Sequence, residues 1–406
     1  MKQDWEIKTL KDIGSIFSGN SINAKVKKEK YLNYPEGFPY VATKDVGYDS
    51  SIDYDNGVKI PYFEKELFRI APKNSVLICA EGGSAGRKMG RINQDICFVN
   101  KLFAITPKNE TTSKYLFYWY NTDEFQREFK SRLTGLIGGV SKRKFETIPI
   151  PIPPLDEQKR IVAKLDKCFE AIDKARANVG KNLNNAKELF QSQLNQIFSQ
   201  KGDGWVDKKL GEITTKIGSG ATPRGGKASY KETGISLIRS LNVYDNGFRK
   251  KNLAFIDNEQ ASKLDNVKVE KDDVLLNITG ASVARCCIVP KEYLPARVNQ
   301  HVSIIRLHSE AMKSRFLHYS LISNDNKDLL LGIGEQGATR QAITKAQIEN
   351  FYISYPANIS EQLNMVNQLD DLKSQTQTLE SNYQQELNAL DELKKSILQK
   401  AFNGEL

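Results

Sequence analysis

Two short segments join small residues to a trailing arginine: Glu81-Gly-Gly-Ser-Ala-Gly-Arg-Lys88 and Thr279-Gly-Ala-Ser-Val-Ala-Arg285. Each follows an apolar run, Val76-Leu-Ile-Cys-Ala80 in one case and Val274-Leu-Leu-Asn-Ile278 in the other. Small residues let backbone N–H groups approach a phosphate closely, and Arg87 or Arg285 can pair with a phosphate or a guanine edge. The spacing is not that of a GxxxxGK[ST] phosphate loop. A tight turn carrying an exposed arginine is the plainer reading of the same residues. The candidates here are Gly82, Gly83, Ser84, Arg87 and Lys88, matched by Thr279, Ser282 and Arg285.

Two more pairs carry hydroxyls beside basic or amide side chains, an inventory suited to phosphates and base edges. Gly139-Val-Ser-Lys-Arg-Lys144 aligns with Gly337-Ala-Thr-Arg-Gln-Ala342, which sets Ser141, Lys142 and Arg143 against Thr339, Arg340 and Gln341. Thr43-Lys44-Asp45-Val46 aligns with Arg239-Ser240-Leu-Asn242-Val243, and Arg224 sits in a further Gly-rich loop. The run Lys25–Lys30 reads as a solvated charged face.

Residues for catalysis are not arranged for it. There is no Asn-Pro-Pro-Tyr tetrapeptide and no FxGxG, so no methyl-transfer site is expected. Asp156-Glu157-Gln-Lys159 resembles a nuclease cluster, but acidic residues belong at a helix start for electrostatic reasons. Its counterpart Ser360-Glu361-Gln-Leu363 lacks both Asp and Lys. Cys286-Cys287 near His301 reads as strand filling. Five cysteines without a CxxC pair and three histidines without HExxH argue against a disulfide framework or a metal site, and for a cytoplasmic protein. No run approaches 18 apolar residues, so no membrane span is expected. The chain is expected to bind rather than to catalyse.

The elements that must hold these segments are written twice. Trp5 matches Trp205, Leu10 and Ile13 match Leu210 and Ile213, and Lys73–Arg87 matches Lys271–Arg285. Val99-Asn100 pairs with Val298-Asn299, and Leu165-Asp166 with Leu369-Asp370. The order is kept over the whole 406 residues, which marks an internal repeat. Residues 1–154 and 201–357 mix β-branched runs with helical patterns and read as two globular α/β domains. Residues 155–200 and 358–406 each read as one long helix without proline. Val162, Leu165, Phe169, Ile172, Val179, Leu183, Ala186, Phe190 and Ile197 form an apolar seam interrupted only by Arg176 and Gln193. About 40 residues at 1.5 Å each make a rod of roughly 60 Å, too long to hide its stripe on a compact domain. The fold expected is α+β, with two long antiparallel helices forming a coiled-coil spacer between the domains and a pseudo-two-fold relation between the halves. Net charge is +10. Residues 1–154 carry 24 basic and 18 acidic side chains, and residues 201–357 carry 23 and 17. The excess therefore lies on the domains, as a polyanion-gripping protein requires.

These residues resemble the specificity subunits of type I restriction–modification systems. The resemblance rests on W-x4-L-x2-I near the start of each repeat, the Gly-rich turn, the run PIPIPPLDEQKRIVAKLD, and the closing LQKAFNGEL. It implies that each domain reads one half of a bipartite duplex DNA site, and that the helices dock two modification subunits for adenine N6 methylation. S-adenosylmethionine would then belong to those subunits, and ATP and magnesium to a restriction subunit; none would be held by this chain. Pro153, Pro154, Leu155, Glu157 and Gln158, with Pro356, Ile359, Glu361 and Gln362, would be the docking residues. A coiled-coil scaffold for RNA or acidic partners, and an unrecognised nuclease or methyltransferase, are the competing readings.

Overall fold

The computed structural model describes residues 4–135, 138–308, 310–335 and 341–406. The chain forms two units, Met1–Gly180 with Gln385–Leu406, and Lys181–Gln384. In the first, Gly14–Ser18, Leu102–Pro107, Val76–Cys79 and Met89–Arg91 make one antiparallel sheet in that order. Val76–Cys79 is buried at all four positions, which is why it reads as an uninterrupted apolar run. A second sheet runs Lys59–Ile60, Phe38–Val41, Ile96–Phe98, Ile70–Ala71, its central pair parallel. The second unit repeats both orders. Its sheets are Thr214–Ser219, Val302–Leu307, Val274–Asn277, Cys286–Ile288, and Ala254–Ile256, Ile235–Ile238, Ala296–Val298, Lys268–Val269. The central pair of the latter is again parallel. The fold is mixed α and β, with both four-stranded sheets repeated in the same strand order.

Topology corrects two of the alignments made from sequence. Strands end at Phe98 and Val298 and resume at Leu102 and Val302, so the turn Asn100-Lys101 corresponds to Gln300-His301. Val99-Asn100 is therefore one residue out of step with Val298-Asn299. The match of Ser141 with Thr339 also fails. Ser141 caps the helix Lys142–Glu146 and Thr344 caps Lys345–Glu349, so Thr344 is its counterpart. Thr339 and Arg340 lie outside the described residues. The two loops differ in length, and similarity in composition hid the shift.

The strand that leads into each long helix pairs with the first strand of its own domain: Pro149–Ile152 with Glu6–Thr9, and Tyr352–Pro356 with Trp205–Lys209. The helices then run Leu155–Ser199 and Ile359–Phe402. Within the first unit they are antiparallel, since Asp173 meets Lys394 at 3.1 Å, Arg176 meets Asp391, and Arg160 donates to the Leu406 carbonyl. Arg176 thus interrupts the apolar seam to make an ion pair. In the last turns of the first helix, within the second unit, Leu194 and Phe198 are buried while Ile197 is half-buried. The Phe198 ring packs against Phe316 at 5.2 Å, so the last turns serve the domain core instead of a helix seam.

Both domains grip their helix in the same manner. Lys114 and Tyr118, one turn apart on Glu110–Tyr120, converge on Asp166; the ammonium lies 2.8 Å away and the phenol donates to the same carboxylate. Arg315 and Tyr319 on Ser314–Ile322 converge on Asp370, the arginine at 2.6 Å. Burial first, and the carboxylate next, push both phenols well above their ordinary range.

Beside this grip His318 is 3% exposed, and among the described residues neither ring nitrogen has a hydrogen-bond partner. Burial, then the charges of Lys373 and Arg315, lower its pKa from 6.5 to about 4 despite Asp245 acting in the opposite direction. A base with a depressed folded pKa adds stability that is complete above the unfolded value and is lost as pH falls toward the folded one. At about 1.4 kcal/mol per pH unit, unfolding free energy should fall by about 3 kcal/mol between pH 6.5 and 4 on account of this ring. Denaturant unfolding at several pH values should show that loss in the natural chain and not in His318→Leu. An equal acid loss in both would remove His318 as its cause.

Candidate nucleic-acid interface

In both units the Gly-rich segment closes a turn at the end of a central strand by the same hydrogen bonds. Gly82 N–H donates to Gly138 O, Ala85 N–H to Gly82 O, and Gly86 N–H to Cys79 O, at 2.7–2.9 Å. Gly280, Val283 and Ala284 donate to Gln341, Gly280 and Asn277 at 2.8–2.9 Å. Gly86 has φ +72, and a Cβ there would stand 2.5 Å from Phe129 Cδ1, so glycine is required. Ala284 takes the same left-handed conformation in the second unit. Arg87 and Arg285 N–H groups are also spent, on Ser84 and Ser282 carbonyls. Most of the loop's backbone donors are used internally, and the turn presents its arginine.

A second loop stands beside each turn. Thr43–Asp45 and Ser240–Asn242 are single helical turns, capped when Asp45 accepts from Ala42 N–H at 2.8 Å and Asn242 accepts from Arg239 N–H at 3.1 Å. Val46 and Val243 then anchor the chain in the core, and Tyr48 or Tyr244 follows. Arg87 lies 5.0 Å and Lys88 5.2 Å from the Tyr48 ring centre, and Ser84 Oγ lies 3.1 Å from its hydroxyl. Lys88 also donates to the Thr43 carbonyl at 3.2 Å. In the second unit Arg249 lies 3.5 Å and Arg285 4.7 Å from the Tyr244 ring centre. Asn277 ties the two loops by donating to the Ser240 carbonyl at 2.9 Å.

Of the residues singled out in the sequence, the structure brings together Thr43, Lys44, Gly82, Gly83, Ser84, Arg87 and Lys88. In the second unit it brings together Ser240, Thr279, Ser282, Arg285 and Gln341. Others are placed differently. Arg239 donates to the Asn252 carbonyl at 2.5 Å and stacks on Tyr230, so it braces its loop. Lys142 lines a cleft with Lys11, Gly14 and Lys108, at the far end of the strand pair from the Gly-rich turn; Arg143 is exposed on the same short helix. The Ser141 hydroxyl caps that helix. Arg224 lines a separate cleft with Thr222, Gln260 and Lys263. Lys30, taken as solvated, pairs with the buried Glu64 at 2.6 Å.

Sequence reasoning missed Tyr48, Tyr244 and Arg249, although Tyr-Asp follows the anchoring valine in both repeats and was there to be aligned. It also missed Glu81, Lys101 and His301, by which, with Thr279, the two faces differ. Glu81 stands where the second unit has Thr279, and Lys101 stands where it has His301. Thr279 Oγ1 lies 2.6 Å from His301 Nδ1, Gln300 Nε2 lies 3.2 Å from His301 Nε2, and Thr222 donates to Gln300 at 2.6 Å. Cys286 and Cys287 are buried on a strand, and burial pushes the Cys287 thiol up to about 12. Asp156 and Glu157 pair with Lys159 and Arg160 along their own helix at 2.7–2.9 Å.

The docking residues divide by burial. Pro153, Gln158, Pro356 and Gln362 are buried, so they do not form an exposed docking surface. Gln158 donates to Pro153 O and accepts from Thr112; Gln362 donates to Pro356 O and accepts from Lys313 N–H. These side chains fasten helix to domain. Pro154, Leu155 and Glu361 are exposed, and Glu157 and Ile359 are half-buried.

The family model of the type I restriction modification DNA specificity domain matches residues 2–179 and again residues 202–389. The chain belongs to this family. Among its relatives is the StySPI type I restriction enzyme specificity subunit of Salmonella potsdam, 24% identical over 94% of this chain and 85% of that one. The EcoKI specificity subunit of Escherichia coli is 23% identical over the whole chain and 90% of its own length. The EcoR124I/EcoR124II subunit is 28% identical over 71% of this chain and 70% of its own. Two solved structures share the fold at 19% identity across the full chain. One is a type I restriction–modification assembly, with a TM-score of 0.78; the other is the HsdS subunit of Thermoanaerobacter tengcongensis, at 0.63. Among the described residues, no helix of this family member is long and apolar enough to cross a membrane.

Proposed function

We propose that the chain is the DNA-recognition subunit of a type I restriction–modification complex in the cytoplasm, with each unit reading one half of a bipartite duplex target. The observation that carries this reading is the duplicated face: a turn presenting an arginine beside a tyrosine, once per unit, in a chain of the DNA specificity family. The faces share their scaffold and differ in chemistry, Glu81 and Lys101 against Thr279 and His301, which fits two different half-sites. Base edges in the major groove offer arginine, glutamate and hydroxyl partners of this kind. The exposed Leu155 and Glu361 at the helix starts would meet two modification subunits, which bring S-adenosylmethionine. A restriction subunit would bring ATP and magnesium.

Purified chain should bind duplex DNA in preference to single-stranded RNA and should transfer no label from S-adenosylmethionine. Adding the cognate modification subunits should switch on adenine methylation at one sequence. Methylation by the chain alone would contradict the reading, and tighter binding of single-stranded RNA would favour the scaffold alternative.

A further inference from the structure

Each unit places two cations on one tyrosine ring. One cation always comes from the Gly-rich turn, Arg87 or Arg285; the second is Lys88 in the first unit and Arg249 in the second. The surroundings that hold these pairs differ. The Tyr48 loop is tied to the turn by its own hydroxyl near Ser84 and by Lys88 on Thr43. The Tyr244 loop is tied by Asn277 on Ser240, and by Asp245 accepting from Cys286 N–H at 2.9 Å. What the two copies keep, across different fastenings, is the ring against the arginine. A pair needed only to staple two loops has no reason to survive where other bonds already do so, nor to remain at the surface. Yet in the first unit Tyr48 is 60% exposed and Arg87 is exposed beside it, and in the second Tyr244 and Arg285 are half-buried with Arg249 exposed.

An arginine reads guanine by aiming two N–H groups at O6 and N7 in one plane. A free arginine side chain samples many rotamers, whereas stacking on an aromatic face orders the guanidinium without consuming its donors. We propose that Tyr48 and Tyr244 are positioning residues that hold Arg87 and Arg285 flat and pre-aimed, so that each half of the target contains a guanine read by its own tyrosine-backed arginine. Arg249 is a further DNA-contacting residue of the second face, standing where Lys88 stands in the first. This inference rests on the DNA-recognition reading above and adds the base read and the residues that aim the reader.

The test uses the full complex with its modification subunits, the duplex target it methylates, and duplexes in which each guanine is replaced in turn. For the natural chain one guanine replacement in each half should cost about 5- to 150-fold in affinity, the usual worth of a bidentate contact. Tyr48→Ala should shrink that penalty about 3- to 10-fold in one half only, and Tyr244→Ala should do so in the other half only. Tyr48→Phe, which keeps the ring and loses only the hydroxyl near Ser84, should restore the penalty to within about twofold of the natural chain. A penalty unchanged in both alanine variants would overturn the proposal, as would equal loss across both halves, the mark of a loosened fold. A reduced salt slope with base discrimination intact would place Arg87 and Arg285 on phosphates and would also overturn it. If the natural complex discriminates no sequence at all, the failure belongs to the DNA-recognition reading and not to the tyrosines.

Discussion

Replacing residues 201–357 with the matching segment of another family member should rewrite one half of the target and leave the other half untouched. The segment carries Tyr244, Arg249, Thr279, Arg285 and His301 of the second face, and it lies between the end of the first long helix at Ser199 and the start of the second at Ile359. Mismatched base pairs cost about 1–3 kcal/mol each and roughly add. Several changes within one half-site therefore abolish the original preference there. The incoming domain must still fit the helix it lands on. It needs a cation and a tyrosine four residues apart to meet Asp370, and it needs an N–H and a carbonyl for Gln362, as Arg315, Tyr319, Lys313 and Ala311 provide now. Methylation mapping of the chimera with its modification subunits checks the outcome. If both halves changed together, the two faces would not be independent readers.

Gln362→Leu should lower the stability of the isolated chain by about 2–5 kcal/mol. Gln362 is fully buried, and its amide donates to Pro356 O at 2.8 Å and Ala311 O at 3.3 Å while its carbonyl accepts from Lys313 N–H at 2.9 Å. Leucine fills nearly the same volume and offers none of these bonds. Each buried backbone group left without a partner costs about 1–3 kcal/mol. Gln158→Leu should act in the same way on the first unit, where Pro153 O and the Thr112 hydroxyl lose their partner. Denaturant unfolding of the chain without any other subunit is the decisive format. A chain of unchanged stability that no longer assembles with modification subunits would return these glutamines to a docking role.

The repeat, the mixed α/β class and the two long helices were legible because they rest on patterns that any one-dimensional reading preserves: order, apolar periodicity and proline punctuation. Gly82, Arg87, Gly280 and Arg285 were legible for the same reason, since glycines at fixed offsets report a turn. Three things were hidden. The partner of Ser141 was misassigned because a change in loop length moves it from Thr339 to Thr344, and only helix capping shows the register. Gln158 and Gln362 received a docking role from the family resemblance, and no sequence pattern shows that their side chains are buried and hydrogen-bonded to their own domain. The repeated Tyr-Asp could be aligned, but the contacts of Tyr48 with Arg87 and of Tyr244 with Arg285 join loops far apart in the chain, and no local spacing encodes them.

Adenine methylation across the genome of cells that carry this gene, compared with cells from which it is deleted, tests the central claim most directly. The account predicts methylated adenines in a single bipartite motif, two short defined halves around an undefined gap, and its disappearance on deletion. Persistence of every methylated motif after deletion, in cells whose modification subunit is intact and expressed, would contradict it.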